Sequence, residues 1–457
     1  MECGKPARSP TCRLQYISSL RCVLQRRLHM SLRRVTIFPV RIVLYFQRIH
    51  KFSAFFASSI FFIGRWVELK QFYADLHVHI GRAGGKPVKI TASRQLTVEN
   101  LLRQGAPCKG LDIIGVVDAA SSLVLDEIEK MVARGELEEV PGGGLLSRDG
   151  VLLILGAEVE TREGAHFISY LPYLSSVREL QSFLAPRVTN LNLSTQKIRA
   201  GVKEVIAATL NLGGFFCPAH AFTPHKGAYG CWVNRLEVGL GNMLDQVDVL
   251  ELGLSADTAM ASMIGETERF QFLSNSDAHS LPNVGREYNC LALNGKSFAE
   301  IQLAVAGKEG REIEANYGMH PRLGKYHRTS CPGCGHIAEG EPPVTVCEVC
   351  GYQRVVMGVL DRVYQIRDSP VSGVRQAYHY RVPLLMIPGV GPKLYERLLA
   401  GVGSEIEVLE KASLGAIEEI AGKKVASYIG KMRCNQLSIV PGGGGKYGKV
   451  QKHQGDD

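Results

Sequence analysis

The sequence predicts an α/β protein in which a parallel barrel over residues 69–323 is followed by a cysteine module and a small helical region. Three observations support this fold class. Short apolar runs alternate with amphipathic stretches after residue 69, histidines and carboxylates follow several of these runs, and two Cys-x-x-Cys pairs lie close together after residue 324. At 457 residues, the chain has the length of two or three domains.

Residues 1–68 differ in composition from the rest of the chain. The first 66 residues carry 12 Lys and Arg but one acidic residue, so their net charge is +11, whereas the remaining residues carry −2. Their aromatic run, Phe52 to Gly64, is shorter than the roughly 20 residues that a membrane-spanning helix needs. We expect a non-native or disordered extension, with the natural start near Val67; a membrane-surface anchor is the alternative.

Residues 69–323 have the pattern of a parallel barrel. Apolar runs at 111–117, 151–156, 213–217 and 247–252 predict buried strands, and the amphipathic stretch Thr97–Lys109 predicts a helix. Alternating strands and helices over this length favour a barrel over an open sheet, although periodicity alone does not decide closure. In parallel barrels, functional side chains gather where the strands end.

Two pairs of candidate metal ligands lie about 200 positions apart, each in what looks like a strand end. They are His77 with His79, and Asp277 with His279. Since alternate side chains of a strand share a face, the members of each pair are expected to project together. Imidazoles and carboxylates in such a group are typical ligands of divalent metal ions.

Other candidate ligands follow the remaining apolar runs, namely Asp118, Glu158, Glu160, His166 and His220. For each residue alone, a hydrogen-bonded structural role is the more common explanation. Together they exceed the needs of one zinc ion, so we expect two or three divalent ions, whether Zn²⁺, Mn²⁺ or Mg²⁺. Clustered divalent ions suit phosphoester hydrolysis, because they activate a water and stabilise the attacking and leaving oxygens.

Four segments, taken in order, resemble the motifs of the polymerase-and-histidinol-phosphatase (PHP) family: 75–79, 156–160, 218–224 and 276–280. The resemblance implies a distorted (β/α)7-type barrel with up to three metal ions. With its cysteine module and hairpin-bearing tail, the chain is most similar to the endonuclease Q group of that family. Members of this group nick DNA on the 5′ side of deaminated bases and at abasic sites.

The resemblance also implies roles for individual residues. The implied metal ligands are His77, His79, Asp118, Glu158, His166, His220, Asp277 and His279, with Glu158 as a bridging carboxylate; the implied catalytic residues are Asp277, Glu158 and His220. The chain departs from the family pattern in two places. No third His follows the first pair within 81–89, and no His follows Asp118, so one metal position is expected to differ.

The cysteine module is predicted over residues 324–356. Cys331 and Cys334 are separated from Cys347 and Cys350 by 12 residues, which is a spacing typical of a closed, structural zinc site. Two disulfides are the alternative. The cysteines at 108, 217, 231, 290 and 434 show no such spacing, and we expect them to be buried small apolar residues.

Residues 357–440 are predicted to be a helical DNA-binding region. The segment Ile387–Lys393 resembles a helix-hairpin-helix, in which glycines let backbone N–H groups at a helix start approach a phosphate. A degenerate second copy spans Ile417–Val425. The predicted DNA contacts are Gly389, Gly391, Lys393, Gly422, Lys423 and Lys424. Residues 441–457 are polar and glycine-rich, which predicts a disordered tail.

These features predict a metal-dependent DNA repair endonuclease that cleaves 5′ of uracil, hypoxanthine or xanthine and at abasic sites. The expected cofactors are two or three divalent ions in the barrel and one structural Zn²⁺. The expected partner is duplex DNA, with a sliding clamp as a further candidate, no membrane partner, and a cytoplasmic, nucleoid-associated location. Two alternatives stay open: another PHP-type phosphoesterase, such as a 3′-exonuclease or phosphatase, and a non-catalytic DNA-binding protein.

Overall fold

The computed structural model describes residues 69–368 and 375–451. The predicted N-terminal extension, residues 1–68, lies outside the described residues, as do residues 452–457. All described residues belong to one compact unit.

Strands and helices alternate through most of this unit. The strands are β1 Lys70–Val78, β2 Arg82–Ala83, β3 Lys86–Pro87, β4 Ile113–Val116, β5 Leu137–Glu139, β6 Leu145–Ser147, β7 Leu152–Glu160, β8 His166–Leu171, β9 Phe215–Pro218, β10 Val249–Glu251, β11 Gln271–Leu273, β12 Tyr288–Leu293, β13 Glu312–Met319, β14 Ala377–Arg381, β15 Ile439–Val440 and β16 Lys449–Val450.

The helices are α1 Val98–Asn100 and α2 Ala106–Lys109, joined by the π-helical turn Leu101–Gly105, then α3 Ser122–Ala133, α4 Leu174–Leu184, α5 Val202–Asn211, α6 Leu236–Leu240, α7 Thr258–Ala261, α8 Phe298–Val305, α9 Val359–Ile366, α10 Pro392–Val402 and α11 Leu414–Arg433. In the part of the chain that the structure describes, no helix is both long enough and apolar enough to cross a bilayer.

Seven strands form the ring that positions the site. β1, β4 and β7 pair in parallel, β7, β8 and β9 pair antiparallel, and β10 pairs in parallel with β11. Backbone hydrogen bonds join the remaining neighbours: the Ala221 N–H donates to the Glu251 carbonyl at 2.9 Å, and the His79 N–H donates to the Ala278 carbonyl at 3.0 Å. The ring is the distorted seven-stranded PHP-type barrel that the resemblance implies, but the prediction of a parallel barrel is wrong at β8, which runs antiparallel to β7 and β9.

The central strands are buried on both faces, which explains their continuous apolar sequences. All four residues of β4 are buried, and so are the first eight of β7. Alternate residues enter different hydrophobic clusters, with Ile114 and Leu153 in one and Ile113 and Leu152 in the other. This burial fixes the strand register and therefore fixes which side chains emerge at the strand ends.

The sheet continues beyond the ring through β12, β13 and β14. β12 pairs antiparallel with β1 and β13, and β14 pairs in parallel with β13. Helix α9 buries Val359, Val363 and Ile366 in the main barrel core. Elements from the predicted helical region 357–440 are thus built into the barrel sheet and core, which the linear order of motifs did not indicate.

Helices α10 and α11 surround a third hydrophobic cluster that includes Leu384, Leu398, Ile417 and Ile429. Helix α11 is interrupted at Gly422, whose φ of 82° and ψ of 161° are not helical. The left-handed φ is accessible to glycine because it has no Cβ. Two helical pieces therefore meet at this residue.

The prediction of a disordered tail is wrong for residues 441–451. The antiparallel strands β15 and β16 enclose a glycine-rich turn. The Gly442 N–H donates to the Arg322 carbonyl at 2.7 Å, and the Gly448 N–H donates to the Leu323 carbonyl at 2.9 Å. A Cβ at either glycine would meet backbone atoms at 2.6 Å, so their lack of a side chain permits this close packing. Low hydrophobicity does not reveal backbone packing of this kind.

Candidate metal centre

Three of the predicted ligands form a first triad at the mouth of the barrel: His77, His79 and Asp277. The two Nε2 atoms lie 3.4 Å apart, and the Asp277 Oδ1 is 3.6 Å from the His77 Nε2 and 3.4 Å from the His79 Nε2. Ligands about 2.1 Å from a tetrahedral metal ion are separated from one another by roughly 3.4 Å. The spacing of the triad therefore fits one divalent ion with an open coordination position.

A second triad consists of Glu158, His166 and His220. The Glu158 Oε1 lies 3.1 Å from the His166 Nδ1 and 3.3 Å from the His220 Nε2. The same carboxylate approaches the first triad, with 3.6 Å from Oε1 to the His77 Nε2 and 3.5 Å from Oε2 to the His79 Nε2. Glu158 belongs to the second triad and also approaches the first, which is the position that a bridging carboxylate requires.

Buried carboxylates orient the first two histidines. The His77 Nδ1 is 3.0 Å from Glu251, and the His79 Nδ1 is 3.0 Å from Asp118. A carboxylate that accepts the proton of one ring nitrogen directs the other nitrogen toward the metal. The structure thus places Asp118 behind His79 and outside both triads, unlike the metal ligand that the resemblance implied.

Sequence reasoning missed Glu251. This carboxylate also accepts the His220 N–H at 2.7 Å and the Asn275 side-chain N–H at 2.8 Å, and the residue is only 1% exposed. Its one signal in the sequence was an acidic residue inside the apolar run 247–252. A charged group on a buried strand needs partners, so it indicates a polar cluster.

The prediction that residues 276–279 continue a strand is wrong. β11 ends at Leu273, and Asp277 has a φ of 46°, in the left-handed region. The His279 Nδ1 donates to the Asp277 carbonyl at 3.0 Å, and the His279 ring centroid is 4.6 Å from that of His79. His279 lies beside the first triad and outside it. His220 is also left-handed, with a φ of 30°, and such strain is typical of functional sites.

Arg286 holds the Asp277 segment from behind. Its Nε donates to the Ser276 carbonyl at 2.8 Å, and its guanidinium also contacts the Asp277 carbonyl at 3.4 Å. A further guanidinium N–H donates to the Tyr447 hydroxyl at 3.0 Å. The C-terminal hairpin therefore supports the backbone that presents Asp277.

Charge compensation within the cluster keeps its carboxylates ionised. Burial opposes the charged form of His77, yet the adjoining Glu251 carboxylate raises the pKa of His77 to about 10. The pKa of Glu158 lies well below its ordinary value despite burial, because His166 and Lys89 stabilise the carboxylate. Ionised carboxylates in a buried cluster provide the negative charge that divalent cations require.

The triads open into a cleft of about 410 Å³. Its walls include Lys89, Thr223, His225, Lys325 and Tyr326. The Lys89 Nζ is 2.7 Å from the Thr195 hydroxyl and 3.5 Å from Glu158, so an amine lies beside the bridging position. The cleft has room for a group larger than one phosphate.

The four module cysteines form a separate cluster. The Sγ atoms of Cys331 and Cys350 are 3.6 Å apart, as are those of Cys334 and Cys347. A disulfide would bring the sulfurs to about 2.05 Å, whereas zinc bonds of about 2.3 Å to a tetrahedral set separate them by roughly 3.8 Å. The donor set therefore fits a structural zinc site, and the disulfide alternative does not fit.

The prediction that the remaining cysteines are buried is correct for two of the five and wrong for the other three. Cys217 and Cys290 are buried, but Cys108, Cys231 and Cys434 are exposed. Spacing alone carries no information about the burial of a single cysteine.

The six predicted DNA contacts all lie on the surface. Gly389, with a φ of 93°, and Gly391 precede α10, and Gly422 marks the break in α11. Lys393, Lys423 and Lys424 are exposed beside them. Their part in DNA binding stays a prediction.

No protein-family model matches the chain. The uncharacterised protein YqxK of Bacillus subtilis is 39% identical over 393 residues, which cover 84% of this chain and all of YqxK. The lesion-specific endonuclease Q of Pyrococcus furiosus has a similar structure, with a TM-score of 0.73 and 32% identity over 84% of this chain and 95% of that one.

An endonuclease Q solved with a 27-mer duplex that carries an abasic lesion at the active site gives a TM-score of 0.74 at 32% identity, over 85% of this chain and 98% of that one. The similarity extends over nearly the whole of both solved chains. The chain therefore belongs to the endonuclease Q family, and it is a metal-dependent DNA endonuclease.

Proposed function

We propose that this protein is a DNA repair endonuclease that cleaves the phosphodiester 5′ of uracil, hypoxanthine or xanthine, and at abasic sites. The observation that carries the proposal is the pair of triads joined by Glu158 in one cleft. Two adjacent cation positions suit an in-line displacement at phosphorus, because both the attacking and the leaving oxygen need stabilisation. The lesion-specific endonuclease of Pyrococcus furiosus supports the same assignment.

The protein's own groups have separable roles in this proposal. His77, His79 and Asp277 would hold one divalent ion, His166 and His220 a second, and Glu158 would bridge them. Bound ions supply a water of lowered pKa and positive charge for the phosphate oxygens. Lys89 lies beside Glu158 and would add a cation for a non-bridging phosphate oxygen. Zinc would occupy the cysteine cluster.

The cleft also supports selection of the damaged base. Gly253, Leu254 and Ser255 form one wall, next to the metal ligands. A base must leave the stack to enter such a cleft, which costs less for a mispaired or damaged nucleotide. A deaminated base carries a carbonyl where its parent has an amine. N–H or O–H donors in this wall would therefore bind the lesion and leave the parent amine unpaired.

Duplex DNA is the proposed partner. An endonuclease Q has been solved with a duplex substrate, which supports this choice. The glycine turns before α10 and within α11 are proposed to bind phosphates on the undamaged flanks. A sliding clamp stays a prediction from the sequence alone.

The experiment uses end-labelled duplexes that contain one uracil, one hypoxanthine or one abasic site, with Mg²⁺, Mn²⁺ or Zn²⁺. A discrete nick on the 5′ side of the lesion is the expected product. Laddering from a DNA end would instead support the exonuclease alternative, and binding without cleavage would support a non-catalytic protein.

The variant Asp277→Asn tests the assignment of the first triad. Loss of one anionic ligand is expected to abolish cutting while DNA affinity in a gel-shift assay stays unchanged. Asp149→Asn, at an exposed carboxylate outside the cleft, is the matched control and should cut normally. Normal cutting by Asp277→Asn would refute the assignment.

A further inference from the structure

A basic arm borders the metal cleft between the first metal motif and α1. We define the basic arm as residues 82–94, which include the hairpin β2–β3 and the turn that follows it. It carries Arg82, Lys86, Lys89 and Arg94 and no acidic residue, although residues 67–323 as a whole have a net charge of −6. Arg82, Lys86 and Arg94 have no ion-pair partner among the described residues, so their charges remain available to a polyanion.

The turn that follows β3 in the basic arm presents an isoleucine to solvent. Ile90 is 77% exposed, while its neighbours Lys89 and Thr91 both line the metal cleft. Single exposed aliphatic residues are common on protein surfaces and need no function. Ile90 differs from such residues because it stands at the rim of the reaction cleft, in a segment that carries four cations and no acidic residue.

The basic arm is held rigidly against both metal motifs. The Lys89 N–H donates to the Ile80 carbonyl at 3.0 Å, and the Ser93 N–H donates to the His279 carbonyl at 2.7 Å. A Cβ at Gly81 would lie 2.0 Å from the Ser93 carbonyl oxygen, so the two segments are in direct backbone contact. Ile90 is therefore fixed in position relative to His79 and His279.

We propose that Ile90 inserts into the base stack of duplex DNA beside the damaged nucleotide, while the cations of the basic arm bind the adjoining phosphates. Aliphatic side chains that separate stacked base pairs are a known means of opening a duplex. Insertion fills the space that a turned-out base leaves and so stabilises the opened state. The inference rests on the proposed function, since it requires a base to enter the cleft.

The test measures the single-turnover nicking rates of the wild type and of Ile90→Ala on a uracil-containing duplex and on the same strand alone. The duplex has a stack to open and the single strand has little, so the ratio of duplex to single-strand nicking rates should fall. We expect a fall of at least about tenfold, which corresponds to about 1.4 kcal/mol. Ile90→Met, which keeps a long apolar side chain, should retain most of the wild-type ratio.

Val238→Ala is the matched control, because Val238 is a branched aliphatic residue that is 81% exposed on α6, away from the cleft. Its ratio of rates should equal that of the wild type. If Ile90→Ala keeps the wild-type ratio, or slows both substrates equally, the wedge proposal is overturned while the proposed function stands. If the wild-type protein nicks neither substrate, the proposed function fails first.

A spectroscopic readout checks the same step without cleavage. In the Asp277→Asn background, the fluorescence of 2-aminopurine placed next to the lesion should increase when the protein binds, because the stacking of this base is disturbed. Adding Ile90→Ala should remove most of that increase while binding persists, and Val238→Ala should leave the increase intact. An equal increase with and without Ile90 would refute insertion.

Discussion

Glu251 shows how a residue outside both triads helps to arrange them. It accepts from His77, from the backbone N–H of His220 and from Asn275, and therefore links both triads. Because it holds the proton of the His77 Nδ1, it leaves Nε2 as the metal ligand. Its effect on catalysis is thus expected to pass through metal affinity.

Glu251→Gln should weaken divalent-metal binding by about 10- to 100-fold, since partners of metal-bound histidines typically contribute this much. Nicking should recover as the metal concentration is raised. A metal titration followed by nicking rate and by calorimetry measures the shift, with the exposed Glu312→Gln as control. An unchanged metal affinity would contradict the orienting role.

The buried carboxyl group of Glu287 should make the free energy of unfolding depend on pH. Burial raises its pKa from 4.5 to about 8, although its Oε1 accepts the Met319 N–H. Between these two values the folded carboxyl keeps a proton that the unfolded chain releases. The free energy of unfolding should therefore fall as the pH rises from about 4.5 to about 8.

Glu287→Gln cannot ionise, so the pH dependence should be flatter in this variant. Urea unfolding at several pH values across the window gives the slope, and the exposed Glu309→Gln variant should keep the wild-type slope. If the free energy of unfolding of Glu287→Gln depends on pH as steeply as that of the wild type, the role assigned to Glu287 is refuted.

At the site, the sequence predicted the residues better than their arrangement. The alternation of side chains along β1 correctly predicted that His77 and His79 lie together. Asp277 reaches them through a left-handed turn and not along a strand. Asp118 was expected to be a metal ligand, but it is hydrogen-bonded to the Nδ1 of His79 and lies behind that histidine. Glu251 was not predicted because no spacing rule links it to His77, 174 residues away. Such contacts arise only when the ring forms.

Among the structural elements, the cysteine module has the clearest expected response to mutation. Its knuckle turns are closed by the Gly335 N–H on the Cys331 carbonyl and by the Gly351 N–H on the Cys347 carbonyl. The module exposes Val346 and Val349, so we expect metal binding to supply most of the stability of these turns.

Cys347→Ser should therefore lose one equivalent of zinc per chain and weaken DNA binding or folding. Elemental analysis, a gel shift on intact duplex and thermal unfolding measure these effects. Cys434→Ser, at an exposed cysteine outside the cluster, should keep the full metal content. Full zinc content in Cys347→Ser would refute the four-cysteine site.

Strands and helices were predictable where periodicity was strong. The runs at 111–117 and 151–156 became β4 and β7, and the stretch 97–109 became α1, α2 and the π-helical turn between them. The position of β14 was not predictable, because its pairing with β13 spans the whole cysteine module. Nothing local to Ala377–Arg381 indicates which sheet it joins.

For the whole molecule, a buried ion pair joins the barrel to the C-terminal helices. Lys109, at the end of α2, binds Glu405, which also accepts the Leu384 N–H and the Tyr395 hydroxyl. Lys109 donates in addition to the Pro282 carbonyl, close to the segment that carries Asp277. Both partners are almost fully buried, so the loss of one leaves an uncompensated charge.

Lys109→Met should lower the free energy of unfolding by about 3–5 kcal/mol, the usual cost of removing one partner of a buried pair. Addition of Glu405→Gln should recover part of this loss, because it removes the stranded charge. Lys130→Met, at an exposed lysine of α3, should change stability by less than about 0.5 kcal/mol. Equal stability of the Lys109 and Lys130 variants would show that the pair does not hold the two parts together.

The support that Tyr447 gives to Arg286 has a consequence for the newly made enzyme. Domains generally begin to fold from their N-terminal side during synthesis, so the barrel emerges from the ribosome well before this tyrosine does. A nascent chain, or a fragment that terminates early or is clipped ahead of position 447, would have every metal-binding side chain but not the brace behind one of them. We expect such a chain to cleave DNA more slowly than one that contains Tyr447, because the backbone that presents Asp277 lacks this support.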